Sequence, residues 1–177
     1  MQALKRGLLA MCTFAVLWSS GCARHAQSEP KAARMAEVVH EDETLLTPAQ
    51  RDQRYREAFD QGVALVRRAQ YGPALAAFEE ALRLKPDSVD AQFNLAACYE
   101  AAGDPLRAIH LYKALIAQTP NDPDCYTNLG TSYIKMFHRE KTPSWRDMAI
   151  ESWRRSLAIN PHQPHVKRFI ATASKGS

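Results

Sequence analysis

The sequence predicts an all-α fold, a solenoid of three helix pairs with a C-terminal capping helix. Three observations support this prediction. The 177 residues include only 7 glycines, too few for an all-β fold rich in tight turns. Small and large residues recur at a spacing of 34, which is typical of a repeat built from two helices. Most of the 10 prolines fall where helices are expected to start or end.

Residues 1–21 are predicted to be a signal peptide. Lys5 and Arg6 precede an apolar run at 7–18, and small residues come next, before Cys22. The run has 12 residues, whereas a membrane-spanning helix needs about 20. A basic start, a short apolar run and a small-residue exit together indicate a secretory signal.

The residues before Cys22, Ser19-Ser20-Gly21, resemble the lipobox of bacterial lipoproteins. The resemblance implies cleavage before Cys22 and acylation of this residue, and several acyl chains anchor a protein firmly. Lipoproteins without an aspartate after the cysteine tend towards the outer membrane, and here Ala23 comes next. We therefore expect a protein lipid-anchored in the bacterial cell envelope, at the outer membrane and facing the periplasm. Ser19 stands where lipoboxes favour Leu, so a plain secretory signal remains an alternative.

Residues 22–46 are predicted to form a flexible tether. The segment has few apolar residues and contains an acidic run at 41–43, so it cannot bury enough surface to fold alone. The folded domain is expected at 47–177.

Five sets of positions define the repeat within this domain. Small residues let two helices approach closely, large residues fill the space beside them, and prolines end helices. The sets are Gly62, Ala96 and Gly130; Leu65, Tyr99 and Tyr133; Ala74, Ala108 and Ala149; Phe78, Tyr112 and Trp153; and Pro86, Pro120 and Pro161. Within the first two sets both spacings are 34 residues, whereas within the other three they are 34 and 41. This difference locates seven extra residues between Tyr133 and Ala149.

Helix starts are predicted where a cap-like residue precedes proline, and Asp87 or Ser88 provides the one start that lacks proline. These signals predict helices at 48–68, 73–84, 88–101, 105–117, 123–136 and 143–158. A seventh, closing helix is expected at 164–174, because Val166, Phe169 and Ile170 share one face and a terminal repeat needs a cap. The cap-proline pairs are Thr47-Pro48, Gly72-Pro73, Asp104-Pro105, Asp122-Pro123 and Thr142-Pro143.

The 34-residue pattern resembles that of the tetratricopeptide repeat (TPR) family. The resemblance divides the domain into repeats at 55–88, 89–122 and 123–163, the last with the seven-residue insertion, and a capping helix at 164–174. It implies a right-handed superhelix whose inner helices line a concave, protein-binding groove, without catalysis. Gln61, Leu115 and Ser156 depart from the family pattern.

The same resemblance places eight residues in a partner-binding groove. Phe59, Val63, Val66 and Phe93 make its first half apolar, which suits a peptide or helix that presents apolar side chains. Asp90 and Asp124 stand where relatives that grip acidic peptide ends use Lys or Arg, which argues against such a clamp. Occupation of the groove by the tail or tether of the chain itself remains an alternative. The remaining groove residues are Asn94, Ala97, Asn128 and Thr131.

Other candidate residues receive structural interpretations. The insertion, around 137–142, is expected to be a longer loop. Cys98 and Cys125 are predicted to be buried free thiols, because repeat spacing offsets them by about 10 Å along side-by-side helices. His162 and His165 have a metal-like spacing, but no third ligand is evident nearby, so no metal or cofactor is expected.

The predicted function is that of a lipid-anchored envelope scaffold or adaptor for protein–protein interactions, with assembly of a pilus or secretion complex as its first expected context. The net charge of +4 is too small to indicate nucleic acid as a partner. No catalytic motif stands out, so an enzyme is not expected. An adaptor that positions peptidoglycan enzymes and a self-assembling structural protein remain alternatives, and the sequence does not set the oligomeric state.

Overall fold

A computed structural model describes residues 46–175 of the chain. The predicted signal peptide, Cys22 and nearly all of the predicted tether lie outside the described residues. Over 46–175 the secondary structure is entirely helical, and none of these helices is long and apolar enough to cross a membrane. The helices are α1 (Pro48–Arg67), α2 (Tyr71–Leu84), α3 (Val89–Ala101), α4 (Pro105–Gln118), α5 (Pro123–Glu140), α6 (Pro143–Ile159) and α7 (Pro164–Lys175).

The helices stack in chain order as a right-handed superhelical solenoid. Each packs chiefly on its neighbours in sequence, while α1 touches α3 and α3 touches α5. This gives three antiparallel pairs, α1/α2, α3/α4 and α5/α6, with α1, α3 and α5 as the inner row. The final helix, α7, packs on α6 and closes the stack as predicted.

Close contact between small and large residues holds each pair together. Ala74, Ala108 and Ala149 are fully buried, as are Phe78 and Tyr112. At Gly62 a methyl group would lie 2.7 Å from the Phe78 ring, and at Gly130 it would meet the Trp153 ring. The glycines therefore allow approaches that even alanine would obstruct.

Capping residues set most helix starts as the sequence predicts. Thr47 and Gln50 form a capping box at α1, and the side chains of Ser88, Asp104 and Asp122 accept backbone N–H groups of α3, α4 and α5. Thr142 precedes α6 but makes no capping hydrogen bond to it.

The predicted start of α2 at Gly72-Pro73 is wrong by two residues. The helix begins at Tyr71 after Ala69, which has a φ of 55°, and the Ala74 N–H already bonds to the Gln70 carbonyl. Pro73 is tolerated in this first turn because the N–H that it lacks would have no helical partner there.

The predicted loop at 137–142 is largely helical. Helix α5 continues to Glu140 and ends at Lys141, whose φ is 58°. Helix α5 is five residues longer than α3 and α6 three longer than α4, while the turn between them is one residue shorter. The seven extra residues therefore lengthen a helix pair. The Trp145 indole N–H donates to Glu140 Oε2 at 2.7 Å and ties the two lengthened ends together.

Candidate partner-binding groove

The eight predicted groove residues all lie on the inner helices. Phe59, Val63 and Val66 are on α1, Phe93, Asn94 and Ala97 on α3, and Asn128 and Thr131 on α5. Each is partly exposed, between the buried core and the fully solvated positions. Their helical spacing gives one continuous face across three stacked helices.

The apolar half of this face is also part of the core. The Phe59 ring meets Phe78 edge-on at 5.7 Å between centroids, and Phe93 meets Tyr112 edge-on at 5.8 Å. Val63 and Val66 pack against the buried cluster that contains Phe78. These residues therefore offer a partner their exposed edges, while their buried sides hold the helix pairs together.

The polar groove residues are partly engaged within the chain. The Asn94 amide donates to the Asp90 carbonyl one turn back at 2.8 Å, and the Thr131 hydroxyl donates to the Thr127 carbonyl at 3.1 Å. Only the remaining capacity of these side chains is open to the backbone of a partner.

The buried Tyr112 hydroxyl lies next to this face and has no hydrogen-bond partner within 46–175. Burial, with the Glu100 carboxylate as a smaller contribution, raises the pKa of Tyr112 well above its usual range, and the nearby Asn128 amide opposes the shift. The hydroxyl therefore stays protonated.

An ion pair between α3 and α5 is a feature of this face that the predicted set misses. Lys135 Nζ lies 3.0 Å from Glu100 Oε1 and donates to the Glu100 carbonyl at 3.0 Å. The Ser132 hydroxyl donates to Glu100 Oε2 at 2.9 Å. The Glu100 side chain is 15 % exposed and that of Lys135 is 42 % exposed, so the contact joins two inner helices at the edge of the solvent.

The inner face ends in a cavity that the sequence prediction also misses. Its volume is about 330 Å³ and its lining is largely apolar. It lies where α5 and α7 meet α6, so the lengthened end of α5 forms one wall and the capping helix another. The available sequence signal was Phe169 on the apolar face of the closing helix. Its ring is 39 % exposed and lies tilted against Trp153, with 5.4 Å between centroids. The lining residues are Thr131, Ile134, Phe137, His138, Trp153, Phe169, Thr172 and Ala173.

The two cysteines of the domain are buried free thiols, as predicted. Burial raises the pKa of Cys98 to about 11. Burial, and then the hydrogen bond to Asp122, raises the pKa of Cys125 to about 12. Both thiols stay protonated at neutral pH, so neither provides a ready nucleophile.

Stacked antiparallel helix pairs with a concave inner face define the class of α-solenoid repeat proteins. Within that class, residues 59–123 match the family model described as tetratricopeptide repeat. Residues 59–123 therefore carry a tetratricopeptide-repeat sequence, and the described part of the chain has the fold of such repeats.

Three similar proteins illustrate the relationship. The chain is 29% identical over 140 residues to the photosystem I assembly protein Ycf3 of Prochlorococcus marinus (strain NATL2A), covering 71% of this chain and 81% of the relative. The crystal structure of TTC0263, a thermophilic TPR protein of Thermus thermophilus, matches with a TM-score of 0.62 and 23% identity. That match covers 68% of this chain and 64% of the other, so the chain spans just under two thirds of that structure.

The first TPR of Spaghetti (RPAP3), solved with the HSP90 peptide SRMEEVD, has a TM-score of 0.62 at 14% identity. The match covers 70% of this chain and 93% of that one. At this identity the likeness shows the shared fold alone.

Proposed function

We propose that the chain is a non-catalytic scaffold that holds a segment of a partner protein against the inner face of α1, α3 and α5. The observation that carries this proposal is the continuous, partly exposed face formed by the eight groove residues. Apolar edges at one end and amide or hydroxyl groups further along suit an extended or helical peptide.

The similar proteins support a role in assembly. The relative from Prochlorococcus marinus is named for photosystem I assembly, and the RPAP3 domain was solved with a bound peptide. Neither name points to a pilus or a secretion channel, so we extend the proposal only to assembly of a multiprotein complex. Positioning of peptidoglycan enzymes is a second candidate, which the lipobox-like sequence before Cys22 favours.

Substitution in the middle of the groove tests partner binding. Ala97 is half-exposed and small, so Ala97→Glu places a bulky charge in the groove without removing a core side chain. We expect loss of partner capture of at least about tenfold with unchanged helicity, measured by circular dichroism and by photo-crosslinking from a reactive side chain at position 128 in the native host.

The matched control is Ala76→Glu, the same change at an exposed position of the outer helix α2. It should leave crosslinking from position 128 unchanged. Equal capture by both variants would contradict a binding site on the inner face.

The membrane anchor is part of the proposal and rests on the lipobox-like sequence before Cys22. Cys22→Ala should move the protein from the membrane fraction to the soluble fraction, because acylation at this residue would be lost. Fractionation after a high-salt wash measures the change. Retention of Cys22→Ala in the washed membranes would show that another contact holds the protein there.

A further inference from the structure

The cavity between α5 and α7 has the size and lining of a pocket for apolar side chains. Its volume of about 330 Å³ lies at the lower end of the range for ligand pockets, about 300–1,000 Å³. Its large apolar lining residues are Ile134, Phe137, Trp153 and Phe169. The wall is concave, so it fits a protruding side chain better than a flat membrane surface.

The part of the chain that surrounds this cavity is strongly basic. Residues 123–175 carry nine Lys or Arg and four Asp or Glu, a net charge of +5, whereas residues 46–122 carry nine and ten, a net charge of −1. Helix α7 has no acidic residue. Arg168 and Lys175 lie four before and three after Thr172, so they share the helix face that borders the cavity.

These cations are not neutralised inside the domain. Within residues 46–175, Arg168 and Lys175 make no ion pair, and the Glu140 carboxylate at the end of α5 is engaged by the Trp145 indole. An occupant of the cavity therefore gains from carboxylates on either side of its apolar anchor.

The chain itself contains a segment of this chemistry. Residues 35–44 include four acidic and no basic residues. Val38 and Val39 lie between Glu37 and the acidic run at 41–43, which matches an apolar pocket with basic borders.

Val38 is more easily placed in the cavity of a second copy than in that of its own domain. Eight residues separate it from Leu46, where the described chain begins, and they span at most about 28 Å. By the repeat register, the start of α1 lies about 22–33 Å from the cavity along the helix axis. Two steps between inner helices and half a step beyond α5 add about 20–25 Å sideways. The two components combine to a separation of about 30–41 Å, which exceeds the reach of about 28 Å.

We propose that the cavity between α5 and α7 binds residues 35–44 of a second copy of this chain, with Val38 and Val39 as the apolar anchor. The donor segment and the cavity are different surfaces of the chain. Two copies can exchange segments reciprocally, or further copies can add in a row. This self-association does not depend on partner capture at Ala97.

Peptide binding tests the pocket directly. The probe is a fluorescein-labelled peptide of residues 35–44, added to the full chain carrying Val38→Ser and Val39→Ser so that its own segment does not compete. We expect saturable fluorescence anisotropy. A peptide with both valines changed to Ser, or with Glu41, Asp42 and Glu43 changed to Gln, Asn and Gln, should bind at least about tenfold more weakly.

Substitutions at the cavity border locate the site. Thr172 is exposed and lines the cavity, so Thr172→Glu should weaken peptide binding about tenfold or more, whereas Thr172→Lys should not weaken it. Gln61→Glu makes the same change in net charge at an exposed position of α1 and should leave the affinity unchanged. Equal weakening by Thr172→Glu and Gln61→Glu would overturn the proposal in favour of unspecific charge attraction.

Mixing two variants tests whether the contact joins two copies. Sedimentation of the full chain at two concentrations should show association that Val38→Ser with Val39→Ser abolishes and that Thr172→Glu also abolishes. A mixture of these two defective chains should again form pairs, because one retains the cavity and the other the segment.

Three results would overturn the proposal: absence of peptide binding at 1 mM, a chain that stays monomeric at both concentrations, or an association that neither variant weakens. Binding of phosphatidylserine vesicles through Thr172 without binding of the peptide would likewise overturn it and indicate a membrane contact. Loss of the effect of Ala97→Glu, by contrast, would contradict only the proposed partner groove.

Discussion

The third repeat joins its two helices differently from the first and second repeats. In the first two, an aromatic residue of the inner helix meets an aromatic residue of the outer helix edge-on, with an angle of 69° between the rings in both pairs, Phe59–Phe78 and Phe93–Tyr112. In the third, Thr127 occupies the inner position and Trp153 the outer one. There the indole N–H donates to the Thr127 carbonyl at 3.0 Å.

A buried polar network replaces the apolar contact in the third repeat. The Ser156 hydroxyl is fully buried, donates to the Pro123 carbonyl at 2.8 Å and accepts from Gln163 Nε2 at 2.8 Å. The Thr127 hydroxyl lies 2.8 Å from that of Ser156. The corresponding residue of the second repeat is Leu115, also fully buried.

The difference reflects the element that each repeat packs against next along the chain. The first two repeats each precede another helix pair, so the apolar packing between their two helices extends into the next pair. The third precedes Gln163 and α7, and its hydrogen bonds tie the linker before α7 to α5 and α6. The polar joint therefore orients the capping helix that forms one wall of the cavity, because hydrogen bonds are more directional than apolar packing.

The largest expected effect comes from placing the leucine of the second repeat at the corresponding position of the third repeat. Ser156→Leu should lower the free energy of unfolding by about 3 kcal/mol or more, because the larger side chain overfills a closed site and removes the hydroxyl that bonds to Pro123 and Gln163. Ser156→Ala should cost about 1–3 kcal/mol, since it removes the hydrogen bonds without adding bulk. Urea unfolding followed by circular dichroism measures both.

The matched substitution in the second repeat is Leu115→Met, which conserves volume at an apolar joint and should cost less than about 1.5 kcal/mol. If Ser156→Leu were as stable as the original chain, the polar network would not determine the packing of the third repeat.

A smaller effect is expected at the glycines that lie against the outer aromatic residues. Substitution by alanine should lower the free energy of unfolding more in the third repeat than in the first. A Cβ at 130 would lie 2.5 Å from Trp153 Cδ1, and the hydrogen bond to Thr127 holds this ring in place. A Cβ at 62 would lie 2.7 Å from Phe78, which has no such bond to hold it. Gly130→Ala should therefore cost about 2–3 kcal/mol and Gly62→Ala about 1–2 kcal/mol, by urea unfolding.

Gly72→Ala is the control for the intrinsic helix preference of alanine. Apart from its chain neighbours, a Cβ there meets nothing within 4 Å, so no packing cost is expected. The change should stay within about 1 kcal/mol, because the helix preference of alanine is opposed by the restriction that Pro73 places on the residue before it. Equal stability of the Gly130 and Gly62 variants would show that the indole moves as freely as the phenyl ring.

The sequence determined most of the fold because the 34-residue period reports directly on packing. The spacing of Gly62, Phe78 and Pro86 reflects helix geometry, and the buried small and large residues are where the period places them. The lengths of the helices cannot be predicted from the period. A seven-residue insertion fits a loop or two longer helices equally well, and only the contact of Trp145 with Glu140 shows which one forms.

The candidate site was less predictable for a related reason. The repeat register identifies inner-face positions, so the eight groove residues could be named. The Glu100–Lys135 pair and the cavity depend on contacts between repeats and on where α7 packs, and no period in the sequence encodes these. Ser156 departed from the pattern, and a departure of this kind shows that packing changes without showing how.

The smallest expected effect is a difference in reactivity between the thiols of Cys98 in the second repeat and Cys125 in the third. Cys98 belongs to the apolar cluster that contains Phe78, whereas Cys125 begins α5 and donates a hydrogen bond to Asp122 at 3.3 Å. Their pKa values are raised from 9.0 to about 11 and about 12. In a full chain that lacks Cys12 and Cys22, each thiol should react slowly with a disulfide reagent at pH 8. Cys125 should react about threefold more slowly than Cys98, because the thiolate fraction falls tenfold for each pKa unit while the nucleophilicity of the thiolate rises about threefold.

Single-cysteine variants, Cys98→Ser and Cys125→Ser, separate the two rates, and urea should make them equal. Because both folded pKa values lie above the unfolded value of 9.0, the contribution of these thiols to stability is complete below about pH 9. It is lost as the pH rises through 11 and 12, since the unfolded chain ionises first. Equal rates in the folded chain would mean that Asp122 does not stabilise the protonated thiol, and that the start of α5 is no more polar a setting for sulfur than the core around Phe78.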